Sequence, residues 1–163
     1  MKTFIGTKRV KAKPMTRGEY NLYRNWNNPK EENPSDEGFL VEYSDSANSN
    51  HKNHKNYISW SPKQIFNDAY QDISKEVSFS TALVFLKLGK SVKRKGWNGK
   101  GMFVYLVPAA SYPPQTQAAI QAFGGKDVPY EAYLAIKTAQ NTVNTWVPSI
   151  SDVLAEDYQV DGE

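Results

Sequence analysis

The stretch Ser91 to Val107, SVKRKGWNGKGMFVYLV, constrains the fold more than any other part of the chain. Met102 to Val107 reads as a strand, and its apolar run Phe103 to Val107 has the pattern of a central strand covered on both faces. Ser91 to Lys95 is also strand-like. Between them, Gly96-Trp-Asn-Gly-Lys-Gly101 carries three glycines and can continue neither a strand nor a helix. The chain must turn back there, which commits this half to antiparallel sheet.

The neighbouring segments fit such a sheet. Ser78 is placed to cap a helix in which Phe79, Ala82, Leu83 and Leu86 recur at the spacing of a buried stripe, and Gly89 closes it. Pro108 to Pro114 reads as an irregular connection. A short helix over Gln117 to Phe123 is terminated by Gly124 and Gly125. Tyr133 to Thr138 and Thr142 to Val147 pair as a hairpin around Ala139-Gln-Asn141. Ser149 to Asp157 reads as one or two helical turns that lead into a last short strand.

The first half has its own punctuation. A strand-like stretch runs from Phe4 to Ala12, then Thr16-Arg-Gly-Glu19 forms a capping box for a helix reaching about Trp26. Residues 27 to 38, with Pro29, Pro34 and Gly38, form a loop, and Gly38 to Tyr43 (GFLVEY) a strand. Residues 44 to 56 carry almost no apolar side chain, so an exposed, mobile loop is expected. Tyr57 to Trp60 is a further strand. Ser61 as N-cap and Pro62 at the first helical position start a helix with Ile65, Phe66, Ala69 and Tyr70 on one side, ending near Ile73. The expected fold class is α+β, an antiparallel β-sheet core with short helices plus a small α+β N-terminal module. The expected domains are 1–73 and 74–163.

Composition narrows the function classes. Hydrophobic residues at 39% and aromatics at 13% support a packed interior. With no cysteine there are no disulfides and no thiolate chemistry, which fits a reducing compartment. No stretch approaches the roughly 18 apolar residues of a membrane span, and the N-terminus lacks the apolar run of a signal peptide, so the cytoplasm is expected, with no membrane partner. The net charge of +3 is too mild for a protein that coats DNA, and no polymeric nucleic acid is expected as partner. The distribution is uneven, however. Residues 75–100 hold seven basic side chains against Glu76, and residues 127–163 hold seven acids against Lys137.

The densest chemistry lies in Lys93-Arg-Lys-Gly-Trp-Asn-Gly-Lys-Gly101. Three cations precede glycines that let backbone N–H groups approach an anion, and Trp97 offers a stacking face, as a nucleotide phosphate and base require. A solvated hairpin whose glycines only meet turn geometry has the same pattern. Neither a Walker loop nor a dinucleotide fingerprint is present. Trp146 and Tyr133 are either a second stacking wall or core. Asp152, Glu156 and Asp157 either accept hydrogen bonds from a ligand or form a polar helix face, and as sequence neighbours they make a poor glycosidase pair. His51 and His54 lack the carboxylate or cysteine support of a metal site, and no hydrolytic triad can be assembled. No catalytic residue, metal or cofactor is expected.

Residues 79–158 resemble the phage Thoeris anti-defence sponge family of the second type. The matching residues are Phe79, Lys87-Leu-Gly-Lys90, Val92 to Phe103, Tyr105-Leu-Val-Pro108, Val128-Pro-Tyr130, Tyr133 to Thr138, Trp146 and Ser151 to Asp157. The resemblance implies a small α+β domain, assembled as a homotetramer, that binds cyclic ADP-ribose isomers made by TIR-domain defence enzymes. Some members also hold cyclic oligonucleotides of CBASS systems. Carried over, it places Trp97 against a base with Asn98 and Lys100 near ribose and phosphate, and Arg94, Phe103, Lys137, Thr138, Trp146, Ser149 and Asp152 in the remaining walls. Two positions depart from the pattern: the hairpin turn is Ala-Gln-Asn where relatives often have glycine, and residue 158 is Tyr where they often have Trp. Residues 1–73 resemble an accessory module of small phage and prophage proteins, through Phe4-Ile-Gly-Thr7, Ala12 to Tyr20, Asp36-Glu-Gly38 and Tyr57 to Pro62. The expected function is sequestration of a cyclic nucleotide signal without cleavage. The competing readings are a single-strand nucleic-acid module, an enzyme using Asp152 or Glu156 as base, and a phage structural or interaction module.

Overall fold

A computed structural model describes residues 1–3 and 5–162, and the chain divides into two compact units, Met1–Tyr70 and Gln71–Glu163. The division falls three residues before the expected break at Ile73.

In the first unit, β1 (Val10–Pro14), β2 (Gly38–Tyr43) and β3 (Ile58–Pro62) form an antiparallel sheet in the order β1-β2-β3. Between β1 and β2 runs α1 (Arg17–Tyr23), started by the expected capping box: Thr16 Oγ1 accepts from the Glu19 N–H, and the Glu19 carboxylate accepts from the Thr16 N–H. Tyr20 of α1 packs on Leu40 and Ile58 to make the core of this unit. On the other side α2 (Lys63–Ala69) brings Phe66 into a stack with Phe39, centroids 4.2 Å apart, and with Tyr70 at 4.9 Å.

Several local expectations change. The first strand begins at Val10 and runs to Pro14, and position 4, where it was expected to start, lies outside the described residues. Helix α1 stops at Tyr23, short of Trp26. Ser61 is not an N-cap, because its backbone is paired with Phe39 in the sheet. Pro62 occupies the cap position with no side-chain bond, and α2 ends at Ala69, not Ile73. Ladder pairing here outcompetes the serine cap.

The loop of residues 44–56 is more tied down than its polarity suggests. Asn50 donates its side-chain amide to the Ile58 carbonyl at 2.9 Å and accepts from the Ile58 N–H at 2.8 Å, so it completes the outer edge of β3 like one residue of a further strand. His51 stacks on Tyr23 with centroids 4.4 Å apart.

In the second unit α3 (Phe79–Lys87) is capped by the Ser78 hydroxyl and followed by Gly89 at φ 81°. It covers one face of a five-stranded antiparallel sheet, β10-β4-β5-β8-β9, built from β4 (Val92–Arg94), β5 (Phe103–Val107), β8 (Tyr133–Lys137), β9 (Val143–Thr145) and β10 (Tyr158–Val160). Ala82, Phe85 and Leu86 of α3 pack on Val92, Val104 and Tyr158 as the core. The class is α+β, with an antiparallel sheet at its centre.

β5 is central as expected, but only Val104 in it is fully buried. Phe103, Tyr105 and Val107 face away from α3 and stay half-buried, so the strand is apolar throughout without being covered on both faces. Residues 108–114 are not wholly irregular: β6 (Ala110–Tyr112) pairs with β7 (Val128–Tyr130) as a separate ribbon on either side of α4 (Gln117–Phe123). The terminal α5 (Ile150–Val153) leads into β10, which returns to pair with β4. No helix of the described residues is long and apolar enough to cross a membrane.

Candidate functional site

The glycine turn between β4 and β5 is anchored from its first residues. Arg94, the last residue of β4, donates from Nε to Asp157 Oδ1 at 2.7 Å and from Nη1 to Asp152 Oδ1 at 2.8 Å. Asp157 in turn accepts from the Gly96 N–H at 3.0 Å through its second oxygen, and its backbone carbonyl accepts from the Lys95 N–H at 3.0 Å. Asp152 caps α5, its Oδ2 accepting from the Ser149 N–H and hydroxyl. One guanidinium therefore ties the start of the turn to both ends of the C-terminal helical segment.

The electrostatics follow. Hydrogen bonding to Arg94 holds the Asp157 carboxyl below the usual carboxylate range. For Asp152 burial pushes upward, but the Ser149 hydroxyl and Arg94 outweigh it and the net shift is downward. The two acids raise Arg94 above its already high ordinary value. Tyr158, which donates its hydroxyl to the Asp152 carbonyl at 2.9 Å, is pushed up to about 12, chiefly by burial. No group in this network is held near neutrality as a general acid or base needs to be.

The aromatic residues form a run from interior to surface. Buried Tyr158 meets Phe79 at 5.6 Å between centroids, Phe79 meets Trp146 edge-on at 6.3 Å, and Trp146 meets Trp97 edge-on at 6.1 Å. Trp97 and Trp146 are half-buried against the core cluster, so each combines a packing role with a partly open surface.

Past Trp97 the turn changes character. Asn98 and Lys100 are exposed and form no hydrogen bond or ion pair with any described residue. Gly99 is closely packed: a Cβ there would displace the Met102 side chain and come within 3.2 Å of the Ala139 Cβ. The turn thus lies beside the tip of the β8–β9 hairpin. Lys137 reaches across to donate to the Gly101 carbonyl at 3.1 Å, and its ammonium lies 6.0 Å from the Phe103 ring. At the tip the Thr138 and Thr142 hydroxyls share a hydrogen bond of 2.7 Å.

The ten residues singled out from the sequence accordingly fall into four groups. Arg94, Ser149 and Asp152 are bound to one another or through Asp157. Trp97 and Trp146 form an aromatic corner on the α3 side of the sheet. Phe103 and Lys137 are paired across β5 and β8 on the opposite face, with Thr138 at the hairpin end. Asn98 and Lys100 stand in the turn that joins the two faces. Sequence reading missed Asp157 as the partner of Arg94, because nothing local links residues 63 apart. It also missed a cleft of about 360 Å³ lined by Ile73, Lys75, Glu76, Lys93, Gln159 and Val160, away from Trp97.

Comparison with known proteins bears directly on this unit. A family described as the Thoeris anti-defense 2-like domain matches residues 77–160. The chain belongs to that family. Thoeris anti-defense 2 of Bacillus phage SP01 is 39% identical over 85 residues, which cover 52% of this chain and 94% of that protein. The Thoeris anti-defense 2-like region begins at Val77, which forms a bridge with Tyr158, and ends at Val160, the last residue of β10. It therefore spans the whole five-stranded sheet, the ribbon and the Arg94 network. The first unit lies outside it.

Proposed function

We propose that the second unit captures a small cyclic nucleotide signal of bacterial immunity, a cyclic ADP-ribose isomer or a related cyclic oligonucleotide, and holds it without cleaving it, as a phage anti-defence device. The observation that carries this reading is the turn at residues 96–101 within a Thoeris anti-defense 2-like domain: the indole of Trp97 beside free Asn98 and Lys100, on a backbone held by Asp157. An indole face suits a base, an unpaired ammonium suits a phosphate, and a carboxamide suits ribose hydroxyls or base edges.

Retention without reaction fits the acids at hand, since Asp152 and Asp157 are both committed to Arg94 and held ionised. Assembly into an oligomer, a tetramer by the family resemblance, fits the apolar side chains left uncovered around α5, with Val147 85%, Ile150 80% and Leu154 75% exposed. A pocket completed by a second copy encloses a charged ligand better than one thin sheet does.

Calorimetric titration with cyclic ADP-ribose isomers and cyclic oligonucleotides tests the reading. Saturable binding that Lys100→Ala weakens, with the ligand recovered intact after heat denaturation, is expected. Absence of binding across that panel, or recovery of a cleaved product, overturns it.

A further inference from the structure

We propose that the first unit carries a surface for the phosphate backbone of nucleic acid, formed by Lys11 and Lys13 of β1 and by Lys52 and Lys55 of the loop that folds over Tyr23. This goes beyond signal capture and does not depend on it. The net charge of +3 hides the distribution: residues 1–18 contain Lys2, Lys8, Arg9, Lys11, Lys13 and Arg17 and no acid.

The sheet sorts these charges by face. Lys11 and Lys13 are register partners of Glu42 and Leu40, so all four side chains share the face on which Tyr20 packs. Alternate residues on a strand stand roughly 7 Å apart, so the two ammonium groups follow an extended line at the sheet edge. Lys13 Nζ lies 5.4 Å from the centre of the Tyr23 ring, which also stacks on His51. The loop continues from that stack through Lys52 to His54 and Lys55, with both lysines exposed.

Glu42 is the only carboxylate on the three strands, and it is already engaged. Its Oε2 accepts from His54 Nδ1 at 2.9 Å, and its Oε1 accepts from the Asn56 backbone and side-chain N–H groups at 3.3 and 3.2 Å. Hydrogen bonding to His54 keeps it below the usual carboxylate range, so it stays ionised, and His54 Nε2 lies 2.9 Å from the Tyr23 hydroxyl. Lys11, Lys52 and Lys55 make no ion pair with any described residue. Lys13 over the Tyr23 ring, Lys11 two residues before it on the same face of β1, and exposed Lys52 and Lys55 in the loop stacked on that ring, with the local acid bonded from within, leave an unbalanced positive face that suits a polyanion.

The full chain is titrated with fluorescent oligonucleotides of about 20 nucleotides, as single-stranded DNA, single-stranded RNA and duplex, and with polyglutamate of equal charge. Four phosphate contacts on a single strand predict a slope of about −3 in log K against log salt. Replacing Lys11, Lys13, Lys52 and Lys55 together by Gln is expected to weaken binding at least about tenfold, whereas Lys30→Gln with Lys126→Gln leaves it unchanged. The pair Lys52→Gln and Lys55→Gln, in an exposed loop, keeps the test valid if the fourfold variant unfolds, and should remove about half the slope. No salt-dependent binding, equal binding by the variants and the parent, or tighter binding of polyglutamate than of any oligonucleotide overturns the proposal. Calorimetry of the cyclic nucleotide panel with the same variants separates the two readings, because the lysine changes leave signal capture intact.

Discussion

Arg94 and Asp157 lie 63 residues apart in sequence and meet at 2.7 Å through a charge-assisted hydrogen bond that fixes the entrance to the glycine turn. Asp157 also holds the Gly96 N–H, so replacing it with Ala removes two hydrogen bonds and leaves Asp152 as the one carboxylate paired with Arg94. The expected cost is about 1.5–3 kcal/mol of folding free energy, measured by urea denaturation. Signal binding should weaken as well, since the turn loses its anchor; a variant with wild-type stability and affinity would show the bond to be incidental.

The same pair sets an acid limit. Asp157 and Asp152 have depressed pKa values in the folded state, so their contribution is fully present above the ordinary Asp value of about 3.9 and is lost as pH falls through the folded values. Thermal unfolding between neutral pH and about pH 3 should show a falling Tm below about pH 4, with a shallower fall in Asp157→Asn. A curve unchanged by that substitution counts against the assignment.

Packing and recognition can be separated within the turn. Trp97 contacts the core, so Trp97→Ala is expected to lower stability by about 2 kcal/mol and abolish binding together. Asn98→Ala and Lys100→Ala should stay within about 0.5 kcal/mol of the parent stability. Each should nonetheless reduce signal affinity about tenfold, the worth of roughly one charged or polar contact. Titration calorimetry beside thermal melts reads both quantities.

In the first unit, Asn50→Ala leaves the N–H of fully buried Ile58 without its side-chain partner and its carbonyl with only the Tyr20 hydroxyl, 3.4 Å away. The expected loss is about 1–3 kcal/mol. Amide exchange at Ile58 should accelerate more than at Val41 of the neighbouring strand, and equal acceleration at both would mean that Asn50 acts only through global stability.

What was legible from residues alone is local. Thr16 with Glu19, Ser78, and Gly124 at φ 60° define helix ends through bonds and backbone angles within a few residues, and each is where its chemistry requires it to be. The hairpin around Ala139 to Asn141 is equally local, with Asn141 supplying the positive φ of 62°. Where a local signal met a distant partner, the partner prevailed: Ser61 has the makings of a cap, yet its pairing with Phe39 draws it into β3. The ribbon of β6 and β7 was hidden for the same reason, because Ala110 meets Tyr130 across an intervening helix.

The candidate site divides along that line. Short-range sterics and glycine content make a turn at residues 96–101, and the residue types in it are those that would suit a base and a phosphate. Its usable shape depends on the return of β10 to β4, which brings Asp157 to Arg94, and on the β8–β9 tip, which sets Ala139 against Gly99 and Lys137 on Gly101. Those contacts join positions that share no local periodicity, so they exist only once burial of Val92, Val104 and Tyr158 has closed the sheet.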